Sequence, residues 1–318
     1  FFRFLHDTVP EQGLRTLYTI HGKVPEAEYE ASALTGYRDS RPVRVRNDAS
    51  GQLQLDIYGE LVHCIDLFLS SEEMHDGEEE TLWDLTRECA EDVCRNWEKP
   101  DASIWETRLE PRHFVYSKGM AWLALDRAIA VAHKFHRKAD VQKWRDVREQ
   151  IRRSIETEGY DERLQAYVQA YGGADLDAAV LRLPLLEVIP PGSARMKSTI
   201  RAIENQLMKN GLLYRNLNLD GALEGEGTFT PCIFWLIENY AAAGMLDKAE
   251  ELMRRTLKYA NDLGLLSEEI DPDTGELLGN FPQAFTHVAL IQAALRIEEA
   301  KNSHSKLARK SGAQMHLS

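Results

Sequence analysis

Apolar residues recur along almost the whole chain at the spacing of an α-helix, and the helices they predict are of two kinds. Residues 53 to 69 set Leu53, Ile57, Leu61, Cys64 and Phe68 on one face, with Tyr58, Val62 and Ile65 widening it. A far more charged helix is expected over about 78 to 98, followed by one at 115 to 135 that is apolar almost all round. In "DVQKWRDVREQIRRSI" only a narrow stripe is apolar, made of Val141, Trp144, Val147, Ile151 and Ile155. The alternation continues through an apolar helix near 174 to 187, a charged one near 194 to 209, "TFTPCIFWLIENYAAA", "DKAEELMRRTLKYAND" and the closing "PQAFTHVALIQAALRI". Apolar helices thus begin near 53, 115, 174, 228 and 282, a repeat of about 54 to 62 residues.

A helix that is apolar on all sides needs neighbours all round, whereas an amphipathic one needs solvent on its back. An inner ring of helices wrapped by an outer ring satisfies both, so the expected fold is all-α, an (α/α)6 toroid of helical hairpins. Five inner and four outer segments are legible, nine of the twelve such a ring holds. The other three would lie before Phe1, which reads residues 1–300 as a barrel lacking its N-terminal helices and 301–318 as a polar tail. Inner helices would then expose apolar flanks, so self-association, low solubility or weakened activity is expected. Inner-to-outer links are mostly short, while the outer-to-inner links at 20 to 52, 99 to 114, 158 to 173, 210 to 227 and 263 to 281 are long. All of these would gather at one mouth of the ring.

Composition narrows the chemistry. The chain has 318 residues, 43% hydrophobic and 28% charged, and a formal net charge of -13 that repels phosphate backbones, so no nucleic-acid partner is expected. The local basic cluster Arg38, Arg41, Arg44 and Arg46 is read as holding carboxylates or hydroxyls near a pocket. Cys64, Cys89, Cys94 and Cys232 show no C-x-x-C spacing; buried thiols, not a disulfide framework, are expected. No apolar run approaches the roughly 20 residues that span a bilayer, and "FFRFL" is too short for a signal-peptide core. No membrane partner is expected, and the location is read as cytoplasmic, although a chain opening on Phe1 leaves room for a lost targeting segment. "DPDTGE" opens like a calcium loop but has Glu276 and Pro282 where glycine and glutamate are required, so it is a turn. With neither H-E-x-x-H nor a phosphate-cradling loop present, no metal and no cofactor is expected.

Two glutamates stand out by position. Glu106 precedes the inner helix at 115 and Glu268 precedes the one at 282, three steps of a six-step ring apart, so their loops should face each other. Carboxylates separated by roughly 6.5–9.5 Å suit an inverting glycosidase, in which one acid protonates the leaving oxygen and the other activates water. Glu106 beside the Trp105 indole is the better acid, since an apolar ring raises a carboxyl pKa by desolvation. Glu268 beside Glu269 is the better base.

Four segments, "GYRDSRPVRVRNDASGQLQLDIYGE", "IWETRLEPRHFVYSKGMAWLALDRA", "EGEGTFTPCIFWL" and "NDLGLLSEEIDPDTGELLGNFPQAFTH", resemble glycoside hydrolase family 15, the glucoamylase and trehalase-like enzymes. The resemblance extends in order over about residues 14 to 300. It implies an (α/α)6 barrel, with Glu106 as general acid and Glu268 as general base. It also implies sugar contacts at Trp105, Arg108, Tyr58, Asn47, Arg215 and Glu269. A planar Trp stacks a pyranose and an Arg fork holds hydroxyls; for Tyr58, plain packing is an equal alternative. His113 and His287 are read as loop structure, and Trp122 and Trp235 as core. The sequence departs from the family pattern at Asp39 and Arg46, where glycines are usual, and at Gly119, where a bulky residue is typical. The implied function is inverting, exo-acting hydrolysis of an α-glucoside, glucoamylase-like, with release of β-glucose. The alternatives are an α,α-trehalase of the same family and a non-catalytic sugar-binding relative.

Overall fold

The computed structural model describes residues 1–71, 78–217 and 226–315. The middle of the 210 to 227 loop and the first two residues of "EGEGTFTPCIFWL" lie outside them, as do the side chains of Arg38 and of the tail from residue 304 onward. The chain divides into two compact units, Phe1–Thr157 and Glu158–Ser318. Among the described residues no helix is long and apolar enough to cross a membrane.

In the first unit, helix α1 (Phe2–Gln12) is followed by a two-stranded ribbon, β1 (Tyr29–Glu30) against β2 (Arg44–Val45), antiparallel with Tyr29 opposite Val45. Four helices follow: α2 (Asp56–Ser70), α3 (Glu78–Asn96), α4 (Val115–Lys134) and α5 (Val141–Glu158). As expected, α4 is buried nearly all round, while α5 buries only Trp144, Ile151 and Ile155. Helix α2 packs on α4, and Gly59 makes this approach possible: a Cβ there would lie 2.4 Å from the Met120 carbonyl oxygen. The buried face of α2 is centred on Tyr58, Leu61, Val62, Ile65 and Leu69, whereas Cys64 is exposed and Ile57 and Phe68 half-buried. The core side is therefore rotated from the stripe through Leu53 toward the residues expected only to widen it. Helix α1 falls outside the expected set; it buries Leu5, Thr8 and Val9 and packs on α3.

The second unit begins with hairpin β3 (Tyr160–Asp161) and β4 (Ala166–Tyr167). The apolar segment near 174 to 187 is not a continuous helix. It forms a 3-10 turn over Ala178–Leu181 and then a single turn, α6 (Arg182–Leu185), although Ala178 to Leu181 and Leu183 are all fully buried. Pro184 lacks an amide hydrogen and cannot continue a ladder, and Glu187 turns the chain with a φ of 64°. Helix α7 (Ala194–Leu207), capped by the Ser193 hydroxyl, leads to hairpin β5 (Met208–Lys209) and β6 (Leu212–Leu213). Strand β7 (Thr228–Phe229) feeds α8 (Thr230–Ala242), buried along almost all its length and opened by Pro231 in its first turn. Helix α9 (Leu246–Thr256) is amphipathic. Strands β8 (Glu269–Ile270) and β9 (Leu277–Leu278) then join β7 in a three-stranded sheet of order β7-β8-β9. Helix α10 (Ala284–Met315) packs against α8 and α9.

All four cysteines are free; Cys89 and Cys232 are buried, Cys94 is half-buried and Cys64 is exposed. "DPDTG" is the turn of the β8-β9 hairpin, in which Asp271 Oδ1 accepts from the backbone N–H groups of Asp273 and Thr274 at 2.8 and 2.9 Å.

Candidate active site

In the first unit, the loop carrying Trp105 and Glu106 is closed at its base by an antiparallel bridge between Asp101 and Arg112. It is tied to the residues before α2 by the Ala102 N–H on the Leu53 carbonyl, 2.9 Å. Inside, Ser103 and Glu106 both take left-handed backbone conformations, φ 66° and 54°, a local strain of about 1–3 kcal/mol per residue that persists only where surrounding bonds over-determine it. Those bonds are present. Gln52 Nε2 donates to the Thr107 and Glu106 carbonyls at 3.0 and 3.4 Å, and the Thr107 N–H reaches the Ala102 carbonyl at 2.9 Å. Trp105 is buried at 8% exposure, and Glu106 is half-buried beside it.

Asn47 Nδ2 donates to Glu106 Oε2 at 2.9 Å, while Asn47 Oδ1 accepts from Ala49 N–H at 2.9 Å and so fixes the amide orientation. Of the residues expected to bind sugar, Asn47 thus stands with Glu106. Arg108 is half-exposed and its guanidinium grips both oxygens of Glu28, at 2.9 and 3.1 Å. Arg44 reaches the same carboxylate at 3.2 Å, and the Arg108 hydrogen bond holds the Glu28 pKa below the ordinary value. Tyr58 goes elsewhere: it is 5% exposed, and its burial, with Asp92 and Cys89 of α3 nearby, raises its pKa. That position favours the packing alternative.

Three members of the basic cluster hold carboxylates. Arg44 pairs with Glu28, Arg41 with Asp39, and Arg46 with Glu26, the Arg46 guanidinium also lying over the Tyr29 ring. Asp39 and Arg46 have φ of 64° and 74°, which accounts for the glycines usual at these two places in the family pattern.

The buried carboxyls beneath the acid loop escape a reading of the sequence for exposed mouth residues. Asp101 is fully buried and accepts from the Leu55 N–H at 3.1 Å; burial pushes its pKa up to about 6. Asp56, first residue of α2, is pushed up to about 8 by burial, then by the charges of Asp101, Glu60 and, more weakly, Glu106. Its ordinary value is 3.8, so between about pH 4 and pH 8 the folded protein keeps a proton that the unfolded chain releases, and stability falls as pH rises through that window. Replacing Asp56 by Asn removes this titration. Urea unfolding of the variant should therefore gain on wild type by about 1–3 kcal/mol between pH 5 and pH 8. A difference that does not change with pH would show that Asp56 is ionised in the fold.

In the second unit, Glu268 is held through its backbone and its side chain. Its N–H donates to the Asn280 carbonyl and its carbonyl accepts from Thr230 N–H, both at 2.9 Å, and its Oε2 accepts from the Asn280 N–H at 2.9 Å. The preceding Ser267 is fully buried, and its carbonyl accepts from the Thr286 hydroxyl of α10 at 3.1 Å. His287 Nε2 accepts from the Leu266 N–H at 3.3 Å and Nδ1 meets the Gln283 carbonyl at 2.7 Å, the structural role expected of it. Glu269 Oε2 accepts from Gly227 N–H at 3.2 Å; burial, then the charge of Glu226, pushes Glu269 up to about 7. Arg215 is half-buried and forms an ion pair with Glu226 at 2.5 Å. Of the sequence-derived candidates, this unit therefore brings together Glu268, Glu269 and Arg215, and it adds Glu226.

Comparison with known proteins gives this arrangement a context. The family described as "Glycosyl hydrolases family 15" matches residues 2–250 and 241–295. A trehalase from Thermoplasma acidophilum is 40% identical over 302 residues, covering 93% of this chain and 51% of its own length. A trehalase from Mycobacterium tuberculosis is 38% identical over 315 residues, covering 95% and 46%. The chain thus spans about half the length of the trehalases it matches. Among solved structures, a bacterial glucoamylase complexed with acarbose superposes with a TM-score of 0.70 at 17% identity, over 93% of this chain and 45% of the other. A wild-type glycosidase superposes with a TM-score of 0.68 at 18% identity, over 82% and 72%. At such identities the shared property is the fold, the all-α (α/α)6 class that the helix periodicity predicts. With the family match running over most of the sequence, the chain belongs to glycosyl hydrolases family 15.

Proposed function

We propose that the protein hydrolyses α,α-trehalose with inversion, Glu106 acting as general acid and Glu268 as general base. The observation that carries the substrate assignment is the 38–40% identity to trehalases over more than nine-tenths of the chain. The glucoamylase-like reading expected from the sequence has behind it only glucoamylase structures of 13–17% identity, a likeness of fold.

The hydrogen bonds around each carboxyl support a division of labour between its oxygens. The Asn47 amide donates to Glu106 Oε2, which leaves Oε1 to carry the proton. Transfer of that proton to the glycosidic oxygen expels one glucose as a neutral alcohol. The Asn280 N–H likewise occupies Glu268 Oε2, leaving Oε1 to take a proton from water as the water oxygen bonds to the anomeric carbon. One C–O bond breaks and one forms, and the two carboxyls finish with exchanged protonation states that solvent resets. Trp105, buried beside the acid, supplies an apolar face for the sugar ring.

Trehalose joins two α-anomeric carbons, so inversion yields one β-glucose and one α-glucose in equal initial amounts. Proton NMR of the first turnovers by the purified protein on trehalose should show that ratio. Two α-glucose molecules would overturn inversion, and hydrolysis of maltooligosaccharides without hydrolysis of trehalose would restore the glucoamylase reading.

A further inference from the structure

Glu28 belongs to no motif of the sequence and to none of the roles assigned above, yet it joins the β1-β2 ribbon, the turn after Asn47 and the acid loop. It stands one residue before β1, and β2, paired with β1, ends two residues before Asn47. Its side chain is 9% exposed. Arg108, two residues past Glu106, donates to both of its oxygens at 2.9 and 3.1 Å, and Arg44, first residue of β2, reaches Oε1 at 3.2 Å. The backbone takes part as well: the Glu28 N–H donates to Asp48 Oδ1 at 3.2 Å, and Asp48 Oδ2 lies 3.8 Å from the Arg108 guanidinium.

The two partners in the Asn47–Glu106 hydrogen bond are therefore each within two residues of a group fastened to Glu28: Asp48 follows Asn47, and Arg108 follows Glu106 by two. A bond of 2.9 Å between segments 59 positions apart keeps its length only while the separation of those segments is fixed. Gln52 holds the carbonyls of Glu106 and Thr107, and Glu28 holds the next residue. The same cluster adds little to folding. Arg108 and Arg44 are 48% and 42% exposed, so removing the Glu28 carboxylate leaves no charge stranded away from water. What the carboxylate governs is placement.

We propose that Glu28 is a positioning residue of the acid half-site: by holding Arg108 to the turn at Asp48, it sets the distance across which Asn47 donates to Glu106 and so orients the oxygen that carries the proton. This inference rests on the assignment of Glu106 as general acid. Glu28 acts through Arg108 and Asp48 and exchanges no proton with the substrate.

The test is Glu28→Ala, with Glu28→Gln as the conservative variant, each assayed on trehalose and on α-glucosyl fluoride. Trehalose needs a proton on its leaving oxygen, whereas fluoride departs with little such help. In Glu28→Ala the backbone bond to Asp48 survives and the two-oxygen grip on Arg108 is lost. Expected is a fall in kcat on trehalose of about ten- to thirty-fold, against less than about threefold on the fluoride. Glu28→Gln, whose amide oxygen still accepts from Arg108, should recover about threefold of the loss on trehalose. Because the effect passes through Asn47, Glu28→Ala/Asn47→Ala should be no more than about twofold worse on trehalose than Asn47→Ala alone. Proton–nitrogen NMR follows the same contact without catalysis. The Asn47 side-chain amide resonance, identified by its loss in Asn47→Ala, should move upfield in Glu106→Ala, where its acceptor is gone, and in the same direction in Glu28→Ala. A merely structural role would lower activity equally on both substrates, and that result would overturn the proposal. So would an unmoved amide resonance, multiplied losses in the double variant, or kinetics identical to wild type. If Glu28→Ala fails to fold, Glu28→Gln carries the same comparisons. If wild type leaves trehalose intact, the functional assignment fails, and the Asn47 amide still decides the role of Glu28.

Discussion

Glu106→Gln should lower kcat on trehalose by about 10³–10⁴-fold while leaving Tm within a few degrees of wild type. The amide keeps the shape of the carboxyl, and its oxygen can still accept from Asn47 Nδ2, so the strained loop conformation at residue 106 retains its restraint. What is lost is the proton for the leaving oxygen. An α-glucosyl fluoride needs little such help because fluoride departs readily, so with this substrate the deficit of Glu106→Gln should shrink to about tenfold. Glu268→Gln, lacking the group that activates water, should stay deficient on both substrates. If Glu106→Gln retains more than a tenth of wild-type kcat on trehalose, Glu106 is not the acid. If both variants recover equally on the fluoride, the two roles are wrongly divided.

Gly279→Ala should depress kcat by about 100-fold with a much smaller effect on folding. Gly279 has a φ of 69°, and a Cβ on it would stand 2.8 Å from Glu268 Oε2 and 3.0 Å from Glu268 Cβ. The glutamate must move by several tenths of an ångström, and displacement of a reacting group on the ångström scale costs about 10²-fold in rate. Strain at a left-handed alanine costs about 1–2 kcal/mol by itself. Gly264 provides the control: it lies in the same loop with a φ of 76°, and a Cβ there meets nothing within 4 Å. Gly264→Ala should therefore show the same loss of stability with near-normal kcat. Equal activity in the two variants would show that the placement of Glu268 does not matter to the reaction.

Helices α2 to α5 and α7 to α10 were legible: α3, α5, α7 and α9 each carry a hydrophobic stripe repeated every 3.6 residues, and the apolar runs of α2, α4, α8 and α10 are too long for strands. The broken segment over Ala178–Leu185 was not. A run buried on every side carries no periodicity to distinguish a helix from a folded turn, and only Pro184 hinted at the interruption. The two-residue strands are too short to alternate visibly, yet β7, β8 and β9 decide where Glu226, Glu268 and Glu269 stand.

At the site the division is similar. The residue types at Trp105, Glu106, Glu268 and Glu269, with the segments around them, were enough to identify a glycoside hydrolase of this family. Which neighbours serve them was not readable. Asn47 reaches Glu106 across 59 positions, Asp101 holds the start of α2 across 46, and Gly227 meets Glu269 across 42. Arg108, one step past Thr107 in the acid motif, turned to Glu28 across 80 positions, and Tyr58 turned into the core.

The amino-acid sequence by itself determined the helical repeat, the family and the two candidate acids, since these depend on local pattern and residue identity. Only the tertiary structure decided which oxygen of each glutamate is already engaged, that Asp56 is buried with its pKa raised, and that Arg215 is paired with Glu226. Those properties arise from hydrogen bonds and desolvation between segments far apart in the chain, and no local pattern encodes them.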